Sequence, residues 1–344
     1  DSVRPARWHA ERPGRWIAEM GWPSPSIEHR EIALPLPGGK PALVASPQDC
    51  GLAGGEYFPF TFGPELPGDQ RDDDARSLCF DLDVPAGPLD IVGAPSVRLA
   101  VASDRRQANA VVRLCDVHPD GASELIAWGV LNLTHRASHE LPQPLTPGET
   151  VEVTVVLDQC AYRVPAGHRL RVAVSTAYWP MIWPSPEPVA LTLSAATLAL
   201  PVRPAAGGDE WTFPPPEAAA PWRTETLRNS SSRRTVERDQ ATGVVTQTIA
   251  DDFGELRDLE HGLVHGSAVR ETWTIAPDDP LSASVDIAWS QTFSRDAWSV
   301  RTETTSSMRA DRESFHLRGG IRAYEGEKLV FERDFAETRR RDNV

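Results

Sequence analysis

The feature that most constrains this chain is a repeated alternation of apolar and polar residues, interrupted at short intervals by turns that contain proline and glycine. In the run 150–157, Val151, Val153 and Val155 fall on alternate positions, which places them on one face of a strand. Proline presets φ and glycine tolerates positive φ, and both occur in the turns Pro85-Ala-Gly87, Pro119-Asp-Gly121, Pro147-Gly148 and Pro165-Ala-Gly167. The pattern predicts strands over 27–34, 76–84, 95–103, 109–117, 123–133, 150–157, 168–176 and 189–200. About eight strands without a helical period favour an all-β fold, namely a jelly-roll β-sandwich over 27–202.

A second domain is predicted after a segment rich in proline and alanine. Residues 203–221 contain Pro214-Pro-Pro216 and Ala218-Ala-Ala220, a composition typical of a linker. Over 222–344 the strands become longer and more polar, with apolar residues on one face and polar residues on the other. Such strands predict a second antiparallel β domain, either a sheet or an open barrel of about six to eight strands.

The first 26 residues are expected to be a connector. They hold Trp8, Trp16 and Trp22 among arginine and proline, with no clear period, and a free linker rarely carries three tryptophans. The chain begins with Asp1 and not with Met, so we expect a further region upstream.

Charge and cysteine usage exclude several classes of protein. The net charge of −14 repels nucleic-acid phosphates, and no apolar run approaches the roughly 18 residues of a membrane helix, so neither nucleic acid nor membrane is an expected partner. No signal peptide is visible. The four cysteines are far apart in sequence and three lie in or beside apolar runs, as expected of small buried side chains. We therefore expect a reduced, cytoplasmic protein without a disulfide framework.

The segment 177–188 places three aromatic rings and four prolines within twelve residues, directly after a predicted strand. The rings have three interpretations: they stack on sugars, they cover the core, or they form a rigid docking face for another domain, because aromatics and Met are enriched at the centres of interfaces. The side chains concerned are Tyr178, Trp179, Met181, Ile182 and Trp183.

Neither catalysis nor metal binding is expected within this chain. The Gly-x-Ser-x-Gly turn that an α/β-hydrolase needs to expose its serine is absent from the sequence. His135 and His139 have the spacing of a metal-binding helix but lie in a predicted loop, and glycines argue against a helix at His261 and His265. The three adjacent carboxylates over 72–74 favour a solvated loop over a calcium site. No catalytic residue, metal or cofactor is therefore predicted.

An ordered set of segments resembles a known family. The set contains Asp69-Gln-Arg-Asp-Asp-Asp-Ala-Arg-Ser-Leu-Cys-Phe80, Leu89-Asp-Ile-Val-Gly-Ala-Pro-Ser-Val-Arg-Leu99, Val112-Arg-Leu-Cys-Asp-Val-His-Pro-Asp-Gly121, Gly129-Val-Leu-Asn-Leu-Thr-His-Arg136, Val164-Pro-Ala-Gly-His-Arg-Leu-Arg171 and Ser175-Thr-Ala-Tyr-Trp-Pro180. In this order the segments resemble the C-terminal jelly-roll domain of the X-Pro dipeptidyl-peptidase and cocaine-esterase (CocE/NonD) serine hydrolases. The resemblance extends over about 27–202, and the lead-in Arg12-Pro-Gly-Arg-Trp16 with Trp22-Pro23 is similar to the family's connecting segment. It does not cover 222–344.

The resemblance implies a non-catalytic domain that packs against an α/β-hydrolase domain of the same polypeptide and helps to form the wall of its cleft. On this hypothesis the five side chains named in 177–188, together with Trp8, Trp16 and Trp22, face that hydrolase domain. Two alternatives stay open: a free-standing jelly-roll module that binds carbohydrate or another ligand, and an assembly protein whose second domain forms homo-oligomers.

Overall fold

The computed structural model describes residues 16–59, 65–84, 87–204 and 210–344, so Trp8 lies outside the described residues. The chain forms two compact units, Asp1–Pro214 with Asn343–Val344, and Pro215–Asp342. The division after Pro214 falls inside the segment that the composition predicts as a linker.

The first unit is built from short strands with little helix in the part of the chain that the structure describes. A four-residue helix, α1, spans Arg71–Asp74, and 3-10 turns span Pro37–Gly39 and Leu133–His135. The strands are β1 Glu28–Ala33, β2 Ala42–Val44, β3 Leu78–Asp83, β4 Leu89–Gly93, β5 Ser96–Ser103, β6 Asn109–Val117, β7 Ser123–Asn132, β8 Thr150–Val156, β9 Cys160–Val164, β10 Arg169–Ser175 and β11 Leu191–Arg203.

These strands form two antiparallel sheets that share one core. The larger sheet has the order β8-β5-β11-β4-β9, with β1 and β2 also paired to β11, and the smaller sheet has the order β3-β10-β6-β7. Alternate residues of β5 and β6 point into the same cluster, for example Leu99 from the larger sheet and Leu114 from the smaller one, and both are fully buried. The period of two in the sequence is therefore the period of this core, and the predicted all-β sandwich is confirmed.

The second unit is one antiparallel sheet of eight strands. They are β12 Thr224–Arg228, β13 Ser231–Arg238, β14 Val245–Asp258, β15 Val264–Ala276, β16 Asp279–Arg295, β17 Trp298–Ala310, β18 Ser314–Glu325 and β19 Lys328–Arg340. The order is β12-β14-β15-β16-β17-β18-β19, with β13 also paired to β14. The strand number lies in the predicted range, and the pairing is antiparallel as predicted.

Candidate functional site

The aromatic segment after β10 turns inward. Tyr178 and Trp179 are 1% and 0% exposed. The backbone N–H of Trp179 donates a 2.7 Å hydrogen bond to the carbonyl oxygen of Cys50. The Tyr178 ring lies 4.9 Å from the ring of Trp128, centroid to centroid. The structure thus corrects the expectation that these two rings face another domain, because they belong to the interior of the first unit.

A glycine-rich loop makes this burial possible. Gly51 has a φ of +115°, and a Cβ at this position would lie 2.7 Å from the Trp179 nitrogen. A Cβ on Gly54 would lie 2.7 Å from the Tyr178 hydroxyl oxygen. Only residues without a side chain let the loop approach the aromatic segment this closely.

A buried cluster of carboxylates and arginines fixes the same loop to the smaller sheet. Asp73 accepts hydrogen bonds from the backbone N–H of Gly51 at 2.8 Å and of Ala53 at 3.1 Å. Asp74 lies 3.0 Å from the guanidinium of Arg113, whose side chain is fully buried. Burial raises the pKa of Asp73, and these donors offset part of that rise.

The expectation of a solvated loop over 72–74 is therefore wrong for two of its three carboxylates. Asp73 and Asp74 are buried, and only Asp72 is exposed. Helix α1 directs the two buried carboxylates toward arginines on β6 and β10, where Arg171 also pairs with Asp74 at 3.0 Å. These carboxylates hold loops in place and are already paired with cations.

The remaining predicted docking side chains lie nearer to solvent. Met181, Ile182 and Trp183 are half-buried, and the ring of Trp183 packs edge-on against that of Trp179 at 5.5 Å. Trp16 and Trp22 are 68% and 57% exposed.

Trp16 belongs to a group that we call the tryptophan patch, which consists of Trp16, Trp211 and Phe213. The ring of Phe213 lies 5.2 Å from that of Trp16 and 6.3 Å from that of Trp211. The backbone N–H of Trp211 donates a 3.0 Å hydrogen bond to the backbone carbonyl oxygen of Trp16. All three rings are more than half exposed, so the patch presents aromatic surface to water.

The two histidine pairs singled out in the sequence differ in structure. The Nδ1 atoms of His135 and His139 lie 3.3 Å apart on the surface of the first unit. In the second unit His265 stacks on Trp222 with ring centroids 5.6 Å apart, whereas His261 lies 3.3 Å from Asp258. The 261/265 pair thus does not converge on one point.

A polar cluster that the sequence analysis did not single out lies at one end of the sandwich. It consists of Asp116, His118, Glu124, Tyr162 and His168, and we call it the histidine–carboxylate cluster. Ligand atoms of Asp116, His118 and His168 all lie within 4.8 Å of one another. The available signal was Asp116-Val-His118 at the end of β6, where two polar residues continue a face that is otherwise apolar, with Ala110, Val112 and Leu114.

The four cysteines are free thiols. Burial raises the pKa of Cys50 and Cys115 to about 12, and that of Cys79 and Cys160 to about 11. Their thiolate forms are scarce near neutral pH, which agrees with a packing role.

The sequence matches the family model described as the X-Pro dipeptidyl-peptidase C-terminal non-catalytic domain over residues 2–228. This match spans most of the chain, and it includes the whole sandwich with its aromatic segment and buried ionic cluster. The chain belongs to this family of C-terminal non-catalytic domains.

Similarity to individual proteins points to the same family. Cocaine esterase from Rhodococcus sp. (strain MB1 Bresler) is 30% identical over 123 residues, which are 35% of this chain and 21% of that protein. A putative serine esterase of Mycobacterium bovis is 29% identical over 126 residues, or 32% of this chain and 20% of that protein. The chain thus spans about a fifth of the length of either relative.

A solved aminopeptidase from a marine sediment archaeon aligns with a TM-score of 0.48 and 18% identity over 55% of this chain and 39% of that one. Among residues 16–59, 65–84, 87–204 and 210–344, no helix is long and apolar enough to cross a membrane.

Proposed function

We propose that this chain is the non-catalytic C-terminal portion of a serine hydrolase of the esterase or X-Pro dipeptidyl-peptidase type. The observation that carries the proposal is the family match over 2–228. Two relatives named as esterases support it, since each is about five times longer than the segment that matches. The natural partner of the sandwich is then the α/β-hydrolase domain of the same polypeptide.

The tryptophan patch is the surface that best suits such a partner. Exposed clusters of large rings are uncommon on isolated domains, and tryptophan is the residue that most often dominates the energy of an interface. Trp16 is the first described residue of the predicted connector, the segment that on this proposal joins the sandwich to the hydrolase domain. Trp22, Met181, Ile182 and Trp183 stay in the proposed docking set, whereas Tyr178 and Trp179 leave it.

The test is to produce this chain and the parent's upstream region as separate polypeptides and to measure their association by calorimetry. We expect the native chain to bind. Trp16→Ser combined with Phe213→Ser is expected to weaken binding by about 2–4 kcal/mol, because hot-spot aromatics contribute this much when truncated.

The control is Tyr57→Ser, which removes a ring that is more exposed (85%) than those of Trp16 and Phe213 (68% and 55%) from a different loop of the same unit. We expect Tyr57→Ser to bind like the native chain. Equal binding by native chain and patch variant would refute the assignment of the patch. No association between the native chain and the upstream region would refute the proposal as a whole and favour a free-standing binding module.

A further inference from the structure

The two edges of the eight-stranded sheet in the second unit are built differently. One edge consists of two short strands, β12 and β13, which have 5 and 8 residues and pair with different parts of β14. The other edge is β19, an unbroken strand of 13 residues without proline, longer than the roughly 3–10 residues that are usual for a strand. Folded proteins usually shorten or interrupt an edge strand, because its free backbone groups can pair with another chain. Only the first edge follows that rule.

The outer side of β19 is open. Every residue of the strand is exposed. Among residues 16–59, 65–84, 87–204 and 210–344, no segment other than β18 forms backbone hydrogen bonds with β19. The edge therefore offers a row of N–H and C=O groups at the spacing that a further strand requires.

Two half-exposed aromatic rings lie along this edge. Phe331 and Phe335 are on the same face of β19, opposite Ala323 and Gly319 of β18. Each ring is 50% exposed, since a small residue flanks it on the inner side and the outer side is open. A strand added at the edge would cover the outer side of both rings, and aromatic pairs across neighbouring strands stabilise a sheet.

The charges of β19 do not oppose the approach of a second copy of the chain. The strand carries four cations and three carboxylates, a formal charge of +1, whereas the whole chain carries −14. Within the part of the chain that the structure describes, Arg333 has no carboxylate partner, and its guanidinium lies 4.8 Å from the ring centroid of Phe335. This cation is therefore available to a carboxylate of an added strand.

One antiparallel register between β19 and the β19 of a second copy satisfies these side chains. It is centred on Phe335, so the two Phe335 rings meet at a two-fold axis perpendicular to the sheet and the matching faces of the two sheets are continuous. Arg333 then lies opposite Glu337 of the second copy, and Phe331 lies opposite Arg339. The symmetry produces each contact twice, as two ion pairs and two cation–π pairs.

Neighbouring registers are less favourable. Centring the pair on Asp334 places the two Asp334 carboxylates opposite each other, and centring it on Ala336 places Arg333 opposite Arg339 of the second copy. Like charges at such positions destabilise a sheet. A register centred between two residues turns the second sheet over, so the phenylalanine rings would continue into its polar face. The register centred on Phe335 avoids all of these conflicts.

We propose that the edge strand β19 is a homodimer interface, at which a second copy of this chain adds its own β19 in the register centred on Phe335. The two eight-stranded sheets then form one continuous sheet. Homo-oligomers are one of the alternatives that the sequence leaves open for the second domain, and β19 gives them a defined surface. The family match ends at residue 228, the last residue of β12, so the inference does not depend on the proposed function.

The test measures the mass of the full 344-residue chain by sedimentation velocity over a range of concentrations. We expect the native chain to form a dimer. Phe335→Lys should give only monomer at concentrations at which the native chain is dimeric, because it places two lysines opposite each other on the axis. The matched control is Val236→Lys on β13, which puts the same charge on a residue of similar exposure (54% against 50%) at the other edge and should leave the dimer unchanged.

A charge exchange tests the register itself. Arg333→Glu and Glu337→Arg each place like charges opposite each other twice, so each variant alone should dissociate at concentrations at which the native chain is dimeric. A mixture of the two variants should form a mixed dimer, because the glutamates of one chain then face the arginines of the other. The variant that carries both substitutions should dimerise like the native chain. These recoveries would show that the single variants are folded.

Three results would overturn the proposal. A native chain that is monomeric at every concentration would leave β19 to a different occupant, such as a segment of the parent's upstream region. A dimer that survives Phe335→Lys would place the interface elsewhere on the chain. Failure of the two charge variants to associate in the mixture would reject the register, and with it the assignment of β19.

Discussion

In the first unit the alternating apolar residues of two sheets meet in one core, whereas in the second unit eight strands lie in a single sheet. The difference appears in the exposure of the side chains. Leu99 on β5 is fully buried, but Leu329 on β19 is 43% exposed, and every residue of β19 is exposed. A period of two therefore predicts a strand with two distinct faces, but it does not predict what covers the apolar face.

The two units also treat charge differently. The first unit buries Arg113 among Asp74, Gln70 and Ser77, with each partner about 3 Å from the guanidinium. The second unit has ion pairs at the surface, as in Arg257 with Glu225 at 2.5 Å, where both side chains are more than 40% exposed, although its Arg234–Asp251 pair is only 11% and 13% exposed. Because the first cluster is buried, removal of one of its partners should be strongly destabilising. The exposed pair in the second unit is screened by water and should contribute little to stability.

The largest expected effect follows from this contrast. Arg113→Ala removes the fully buried cation beside Asp74, which then keeps Arg171 as its only arginine partner, and should lower the free energy of unfolding of the first unit by about 3–5 kcal/mol. Arg257→Ala in the second unit should cost about 0–1 kcal/mol. Hydrogen exchange read on peptides of each unit measures both, and similar losses in the two variants would contradict the contrast.

The same substitution in the two sheets isolates the effect of burial. Leu99→Ala opens a cavity in the sandwich core and should cost about 2–5 kcal/mol. Leu329→Ala removes a half-exposed side chain and should change stability by less than about 1 kcal/mol. Urea unfolding of the two variants gives the comparison, and an equal cost would mean that β19 is as well covered as the core.

A pair of glycines separates close packing from backbone strain. Both Gly51 and Gly326 have positive φ, but a Cβ on Gly51 would lie 2.7 Å from backbone atoms, whereas nothing lies within 4 Å of a Cβ on Gly326. Gly326→Ala should cost about 1–2 kcal/mol for the left-handed backbone alone. Gly51→Ala adds overpacking and should cost about 2–4 kcal/mol. Thermal melts measure both, and a milder effect at Gly51 would show that the aromatic segment shifts easily.

The smallest effect concerns thiol reactivity, which reports on burial without changing stability. The pKa values of the four thiols are raised to about 11 or 12 by burial, so the reactive thiolate is scarce at pH 8. The native chain should react slowly with a disulfide reagent, and the chain in denaturant should react with four equivalents at once. Rapid labelling of one thiol in the native chain would show that part of the sandwich opens readily.

Much of the fold can be predicted from the sequence because strand alternation and turn chemistry are local. The run 150–157 predicts β8, and Val153 and Val155 are indeed buried. The inward turn of Tyr178 and Trp179 could not be predicted, because the loop at Gly51 that receives them lies far away in sequence.

The polar clusters could not be predicted for the same reason. Asp73 and Asp74 resemble a solvated run until Arg113 of another strand is placed beside them. The histidine–carboxylate cluster requires residues of both sheets, and its members are separated by up to fifty-two positions along the chain. The family resemblance, in contrast, can be predicted well, because its segments occur in order along the sequence.

The most direct test of the proposed function is hydrolysis of a p-nitrophenyl ester and of an X-Pro-p-nitroanilide. Both substrates are offered to this chain alone and to the chain joined to its native upstream region. We expect activity toward at least one of the two substrates in the longer form only, and a serine-directed inhibitor should abolish it. Activity in the short chain would contradict the proposed function, because it would require a catalytic site among the strands of a non-catalytic domain.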